Sequence, residues 1–213
     1  MALFYDCNDA TVRGAALSAA AHCVESGQLV VLPTDTVYGI GADAFDSGAV
    51  ADLLAAKGRG RDMPVPVLVG SWHTIEGLVS IVAPRTWDLI EAFWPGGLTL
   101  VVEQAPSLAW DLGDARGTVA VRMPLHPVAI ELLETTGPMA VSSANRSGQP
   151  PALTAAEAQE QLGDDVAIYL DGGRVQTGIA STIVDVTAEV PRVLRTGAVD
   201  IDELRAVVPG IAG

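Results

Sequence analysis

Short apolar runs, each ending abruptly at polar residues, are the feature that most constrains the fold of this chain. Such runs are typical of buried strands, and segments of helical composition separate them. The predicted strands cover residues 29–32, 65–69, 98–103, 118–122, 139–142, 166–170, 182–186 and 192–195. Pro66 indicates an edge or an irregular position for the second of these strands.

Residues that typically begin helices occur between the predicted strands. Asp9 and Ser47 are predicted N-caps, Pro84 fits a first helical turn, and Thr154 with Glu157 forms a capping box. The predicted helices cover residues 10–26, 47–56, 84–93, 127–135, 154–162 and 202–207. Because strands and helices alternate irregularly, we expect an α/β fold, a twisted mixed sheet with helices packed on it. The chain shows no repeat or linker, so we expect one domain over residues 1–213, without an additional C-terminal domain.

The composition fits a folded chain, with 49% hydrophobic residues among 213. The 12 basic and 26 acidic residues give a net charge of −14. This charge argues against a protein that coats nucleic acid or an anionic membrane. Eleven of the cations are arginines, and the single lysine lies in the stretch Lys57-Gly-Arg59-Gly-Arg61. An anion site and a solvated loop both explain this stretch, and composition does not separate them.

Several site classes are excluded. The two cysteines lack CxxC spacing and the three histidines are scattered, so we expect no protein-bound metal. We find no signal sequence and no apolar run long enough for a membrane span, and expect a cytoplasmic protein with no membrane partner. The pattern Gly39-x-Gly41-x-x-Ala44 does not directly follow the strand at 29–32, as a dinucleotide-binding turn would. P-loop and G-x-S-x-G motifs are absent.

Polar residues stand immediately before or after five of the predicted strands. We expect these residues to line one concave pocket at the strand ends. Ordinary turns would explain any one segment alone. The pocket would hold the hydroxyls of Thr34, Ser143 and Ser181, the amide of Asn145, and the cations Lys57, Arg59, Arg122 and Arg195. This set suits an anionic ligand with many oxygens, such as a nucleoside triphosphate. It contains no His or Cys, which favours positioning and charge stabilisation over covalent catalysis.

Seven motifs in these segments resemble the YrdC/YciO family, and in particular its threonylcarbamoyl-AMP synthases. The resemblance runs from about Gly27 to Val199. The motifs are Pro33-Thr-Asp-Thr-Val-Tyr-Gly39, Lys57-x-Arg59, Phe93-Trp-Pro-Gly-Gly-Leu-Thr99, Val121-Arg-Met-Pro124, Ser143-Ala-Asn145-x-Ser147-Gly148, Ser181-Thr-Ile-Val-Asp185 and Leu194-Arg195-x-Gly197.

The resemblance implies that L-threonine, bicarbonate and ATP, with Mg²⁺ on the triphosphate, give L-threonylcarbamoyladenylate and pyrophosphate. The product would serve N6-threonylcarbamoylation of adenosine 37 in tRNA, through a threonylcarbamoyl-transferase complex. We expect tRNA itself to bind only weakly or downstream.

The resemblance also implies roles for individual residues. Implied threonine contacts are Thr34, Arg122, Ser143 and Ser181, and implied ATP contacts are Lys57, Arg59, Thr118, Asn145 and Arg195. Lys57, Arg59, Ser143 and Asn145 are the expected catalytic residues.

This chain departs from the family pattern in the segment after Lys57. Gly60 replaces a proline, Met63 an asparagine, and Leu68 a histidine implied to contact threonine. Arg61 is an additional cation and a candidate replacement for a lost polar contact.

Two other functions stay open at this point. One is a YciO-like paralogue with a related nucleotide pocket and a different or weaker activity. The other is an RNA-binding module without catalysis, against which the net charge of −14 argues.

Overall fold

The computed structural model describes residues 2–213, in which seven helices pack on one sheet of ten strands. The helices are α1 (Ala10–Glu25), α2 (Ser47–Lys57), α3 (Ile75–Leu78), α4 (Pro84–Phe93), α5 (Pro127–Thr136), α6 (Ala155–Leu162) and α7 (Ile201–Val207). Short 3-10 turns precede α3 and follow α6, at Trp72–Thr74 and Gly163–Asp165.

The sheet is mixed, as expected. Its strands are β1 (Leu3–Asp6), β2 (Val30–Leu32), β3 (Gly39–Asp43), β4 (Val67–Leu68), β5 (Leu98–Glu103), β6 (Thr118–Arg122), β7 (Met139–Ser143), β8 (Ile168–Asp171), β9 (Thr182–Asp185) and β10 (Arg192–Arg195). Their spatial order is β1-β8-β2-β3-β7-β4-β6-β5-β9-β10. The pairs β1–β8, β8–β2, β4–β6 and β5–β9 are parallel and the others antiparallel. The predicted α/β class is therefore confirmed.

Helices cover both faces of the sheet, because alternate strand residues face opposite sides. Val30 and Leu32 of β2 join the apolar cluster formed by α1 and α5. Val31, between them, joins a larger cluster to which α2, α4, α6 and α7 contribute. The resulting three layers bury apolar side chains above and below the sheet.

Helices α1 and α5 cover only one half of the sheet face on which they pack. Their buried cluster takes strand residues from β2, β4, β7 and β8, and none of its described members lies on β5, β6 or β9. On β5, Leu98 and Leu100 belong to the opposite cluster, so Thr99 faces the α1/α5 side. By the same alternation Thr118 and Arg122 of β6 face this side. We call the α1/α5 side of β5, β6 and β9 the open face.

The Gly39-x-Gly41 sequence lies in β3 and not in a phosphate-binding turn. A Cβ on Gly39 would lie 2.6 Å from Val141 Cγ1, and one on Gly41 would lie 2.8 Å from Met139 Cε. Both positions need glycine because β3 packs against side chains of β7. The exclusion of a dinucleotide-binding turn is confirmed, although β3 itself was not predicted.

Two predicted helix starts are confirmed by a side-chain cap. Asp9 accepts from Thr11 N at 2.8 Å, and Thr154 Oγ1 accepts from Glu157 N at 3.1 Å. The predicted capping box is only half formed, because Glu157 Oε2 accepts from Leu153 N and not from Thr154 N.

The Ser47 cap was wrong. The Asp46 carboxylate accepts from Gly48 N at 2.8 Å, so Ser47 is the first helical residue. Pro84 lies in the first turn of α4, as predicted, without a side-chain cap.

Strand β4 has two residues and lies inside the sheet, between β7 and β6. The edge position suggested by Pro66 is therefore wrong, and the irregular position is right. The proline stands just before the paired residues, where it accepts from Val141 N at 2.9 Å without having to donate.

Candidate active site

Arg122 ends β6 and lies buried where the 33–38 turn meets the open face. Its Nε donates to Gly96 O at 2.8 Å, its Nη1 to Thr36 Oγ1 at 2.8 Å, and its Nη2 to Asp35 Oδ1 at 2.5 Å. Burial lowers the pKa of Arg122, and the Asp35 carboxylate opposes this effect. The guanidinium is thus held in one orientation, and each Nη nitrogen makes one of its two possible hydrogen bonds among residues 2–213.

Thr34 is also buried, in the same turn. Its hydroxyl donates to Val37 O at 2.6 Å and lies 3.1 Å from Thr36 Oγ1. These bonds fix the shape of the turn that carries Asp35 and Thr36 to Arg122.

Lys57, the last residue of α2, is only 3% exposed. Its Nζ donates to Asn145 O at 2.7 Å and to Ser143 O. Burial, aided by the charge of Arg59, lowers the pKa of Lys57 to about 8. The cationic stretch is therefore no solvated loop at this position, since its lysine is buried against the turn after β7.

Arg59 contacts the end of β7, just before this turn. Its Nη1 donates to Ser142 Oγ at 3.0 Å and its Nη2 to Pro64 O at 3.3 Å. Its Nε is buried and has no hydrogen-bond partner among residues 2–213.

Asn145 supplies a second unpaired atom. Its Nδ2 donates to Arg146 O at 3.0 Å and Gln149 O at 2.8 Å, which orients the amide. Its Oδ1 is buried without a partner in the described part of the chain. The turn therefore holds this amide in the residue whose carbonyl accepts from Lys57 Nζ. Ser143, at the end of β7, is half-buried beside it.

Ser181 and Arg195 form the β9–β10 side of the site. Arg195 Nη2 donates to Ser181 O at 2.8 Å and to Ser181 Oγ at 3.1 Å, and Nε donates to Ser181 O at 3.1 Å. Ser181 Oγ also lies 2.8 Å from the Thr99 hydroxyl. When Thr99 is the donor of that bond, the Ser181 proton is available for a ligand.

Four cations converge across these segments. The charge of Arg59 acts on Lys57, and the charge of Arg195 acts on both Arg59 and Arg122, in each case lowering the pKa. Two carboxylates act against them, Asp35 on Arg122 and Asp62 on Arg59. A local excess of positive charge in a chain of net charge −14 is the electrostatic signature of an anion site.

Thr118 lies apart from Arg122 although both side chains face the same side of β6. They are four positions apart, which is about 13 Å along a strand. Thr118 Oγ1 donates to Ala115 O at 2.8 Å, at the end of β6 that pairs with Glu103. Thr118 and Arg122 therefore lie at opposite ends of β6.

Comparison with known proteins identifies the family. Residues 22–197 match the model of the Sua5, YciO and YrdC family, whose description reads "Telomere recombination". The chain belongs to the Sua5/YciO/YrdC family.

Individual relatives in this family extend the comparison. A protein of Mycobacterium tuberculosis, provisionally named a threonylcarbamoyl-AMP synthase, is 63% identical over 96% of this chain and 94% of its own length. The threonylcarbamoyl-AMP synthase of Pyrococcus abyssi is 37% identical over 89% of this chain, and 56% of its own length is matched. The structure of P. abyssi Sua5 complexed with L-threonine superposes with a TM-score of 0.92 at 33% identity, covering 100% of this chain and 62% of that one.

The structure locates three of the residues that depart from the Sua5/YciO/YrdC pattern. Leu68 pairs with Arg122 in the sheet register and packs into the α1/α5 cluster, so it borders the open face. Arg61 donates to Asp111 at 2.7 Å and lies 3.6 Å from Asp114, with its side chain 54% exposed. Arg61 therefore forms a surface ion pair and does not replace a lost contact in the site. Met63 is exposed.

The sequence reasoning missed several residues of this site, namely Asp35, Thr36, Gly96, Thr99 and Ser142. The first four lie inside motifs that mark the family, but their roles depend on partners far along the chain. The signal that was available for Asp35 is a carboxylate in the same motif as a threonine implied to bind substrate.

Two further observations concern metal ligands and membrane-spanning helices. Residues 2–213 contain no group of three or more His, Cys, Asp or Glu side chains placed to hold a metal ion. Among the same residues, no helix has the length and apolar character needed to span a membrane.

Proposed function

We propose that this protein makes L-threonylcarbamoyladenylate from L-threonine, bicarbonate and ATP, releases pyrophosphate, and so serves N6-threonylcarbamoylation of adenosine 37 in tRNA. The names of the relatives support the reaction, and the P. abyssi complex with L-threonine supports the amino-acid substrate. The single observation that carries the proposal is the convergence of Lys57, Arg59, Arg122 and Arg195 in an acidic chain.

The proposed threonine site lies around Arg122. The free N–H groups of its guanidinium bind the threonine carboxylate, because Asp35 and Thr36 already hold its orientation. Ser181 and Ser143 supply hydroxyls on the two flanks. Thr34 contributes by shaping the turn, since its own hydroxyl is bonded to Val37 O.

The proposed ATP site lies along the turn after β7. Lys57 and Arg59 bind the phosphates, because they are the two cations that contact the end of β7 and the turn after it. Asn145 binds the nucleotide from that turn. Arg195 also contacts the phosphates. Thr118, at the start of β6, contacts the end of the nucleotide that lies farthest from Arg122.

The proposed chemistry needs positioning more than proton transfer. The neutral threonine amine combines with bicarbonate and loses water, or combines with CO₂ and loses a proton, to give a carbamate anion. A carbamate oxygen attacks the α-phosphorus of ATP, the bond to the bridging oxygen breaks, and pyrophosphate leaves with the electron pair. Lys57, Arg59, Ser143 and Asn145 are the proposed catalytic residues because they line this transfer and the two cations neutralise its charge. Mg²⁺ enters as part of the ATP substrate.

We further propose that residues 1–213 act as one catalytic domain in the cytoplasm. The adenylate then passes to a threonylcarbamoyl-transferase complex, and tRNA is met at that later step. A paralogue with another activity and an RNA-binding module are not favoured, because the relatives at 63% and 37% identity are named synthases.

The test is to incubate pure protein with ATP, L-threonine, bicarbonate and Mg²⁺ and to follow pyrophosphate and the adenylate by mass spectrometry. The proposal predicts threonine-dependent release of both. Folded protein that releases no pyrophosphate in response to threonine would refute it.

A further inference from the structure

Thr36 is the buried link between the two halves of the proposed threonine site. It is 1% exposed, so it cannot itself touch a ligand that enters from solvent. Its Oγ1 accepts from Arg122 Nη1 at 2.8 Å and lies 3.1 Å from Thr34 Oγ1. One hydroxyl thus joins the cation at the end of β6 to the turn after β2.

The donor inventory fixes two of these bonds. Val37 O can only accept, so the single hydroxyl proton of Thr34 points to it, over 2.6 Å. Thr34 Oγ1 in turn accepts from the backbone N–H groups of Thr36 and Val37, at 3.2 and 3.3 Å. Arg122 can only donate, and it occupies an acceptor position on Thr36 Oγ1. Thr36 Oγ1 therefore joins Arg122 to a turn whose shape is held by its own hydrogen bonds.

An acceptor that is held in a hydrogen-bonded turn resists rotation of the guanidinium that donates to it. Arg122 has two other anchors, Asp35 on Nη2 and Gly96 on Nε. Without the Thr36 oxygen, the inner N–H of Nη1 would be buried and unpaired. The guanidinium would then rotate to satisfy it, and the N–H groups reserved for a ligand would change direction.

We propose that Thr36 is a positioning residue for the synthase reaction, acting through Arg122 on threonine binding and not on ATP binding. The inference rests on the proposed function, because it takes the threonine carboxylate as the ligand of Arg122.

The test compares Thr36→Val with Thr36→Ser. Valine keeps the buried shape and removes the hydroxyl, whereas serine keeps the hydroxyl and removes the methyl group. We expect Thr36→Val to raise the KM for threonine about tenfold or more, the loss expected for a hydrogen bond to a charged group. The KM for ATP at saturating threonine stays within about twofold, and Thr36→Ser stays within about twofold for both substrates. Thr86→Val, at another buried threonine on α4, is the matched control.

Three results would overturn the inference. They are an unchanged threonine KM in Thr36→Val, an equal loss for ATP and threonine, or a Thr36→Ser protein as impaired as Thr36→Val. If Thr36→Val does not fold, Thr36→Ala is read by the same criteria, because alanine also removes the hydroxyl. A wild-type protein without threonine-dependent pyrophosphate release refutes the proposed function itself. An active wild type with unaffected variants refutes only the role of Thr36.

Discussion

Arg122 and Asp35 form an ion pair beside the open face, with Nη2 and Oδ1 2.5 Å apart. The same Asp35 oxygen accepts from Leu125 N at 2.8 Å, and the Asp35 carbonyl accepts from Thr177 Oγ1 at 3.0 Å. Asp35 therefore connects the turn after β2, the segment after β6 and the segment before β9. Thr34 and Ser181 lie in the first and last of these segments and Arg122 directly precedes the second, so the threonine side of the site is largely preformed.

Arg122→Ala is expected to impair threonine use selectively. It removes a charge-assisted contact to the substrate carboxylate, so the KM for threonine rises by about tenfold to a hundredfold. The KM for ATP changes little, and steady-state kinetics with each substrate varied in turn measures both. Arg13→Ala is the control, since Arg13 forms an ion pair with Glu131 between α1 and α5. A loss confined to ATP would mean that the two subsites have been interchanged.

Lys57→Ala and Arg59→Ala are expected to raise the KM for ATP, each by about tenfold or more, because each removes a charged phosphate contact. Arg61→Ala is a close control, since Arg61 lies two residues from Arg59 but pairs with Asp111 at the surface. Circular dichroism checks that the variants fold. Unchanged ATP affinity in both site variants would contradict the phosphate assignment.

The pKa of Lys57 predicts a pH dependence. In the free protein the Lys57 ammonium loses its proton as the pH rises through about 8. We expect kcat/KM for ATP, at saturating threonine, to fall above about pH 8 by up to about tenfold per pH unit. The residual activity of Lys57→Ala lacks this alkaline limb. An identical limb in wild type and variant would assign it to another group.

The lowered pKa of Lys57 also makes the free energy of unfolding depend on pH. Because the folded-state pKa of Lys57 lies below its usual 10.5, the folded chain binds fewer protons than the unfolded chain between about pH 8 and 10.5. The contribution of Lys57 to the free energy of unfolding therefore rises with pH in that window.

Glycines on α1 and β3 give a contrasting pair of stability predictions. Gly39→Ala places a Cβ 2.6 Å from Val141 Cγ1, so we expect a loss of about 1–3 kcal/mol in the free energy of unfolding. Gly14→Ala, in the exposed middle of α1 with nothing within 4 Å, is expected to gain about 0.5–1 kcal/mol. Urea unfolding measures both. A Gly39→Ala protein as stable as wild type would contradict the close packing of β3 against β7.

Local signals in the sequence predicted most of the elements. Asp9 and Pro84 start helices by bonds or dihedral angles set within a few residues, and strands β5, β6 and β10 have the predicted bounds. β3 was missed because its glycines are explained only by side chains of β7, about a hundred residues away. The interior position of β4 was missed because pairing partners on both sides outweigh the proline that precedes it.

The sequence predicted which residues form the candidate site, but it did not predict how their side chains contact one another. The motifs gathered Lys57, Arg59, Arg122 and Arg195 into one predicted pocket, and the structure brings their charges together. The unpaired atoms of Arg59 and Asn145, and the anchoring of Arg122 by Asp35 and Thr36, depend on three-dimensional contacts that no local pattern records.

Exchange of labelled pyrophosphate into ATP tests the central claim most directly, because it reports attack at the α-phosphorus. The account predicts exchange that requires both L-threonine and bicarbonate, that is lost without either one, and that falls strongly in Lys57→Ala and Arg122→Ala. Exchange that ignores threonine, or turnover that yields ADP and phosphate in place of pyrophosphate, would contradict it.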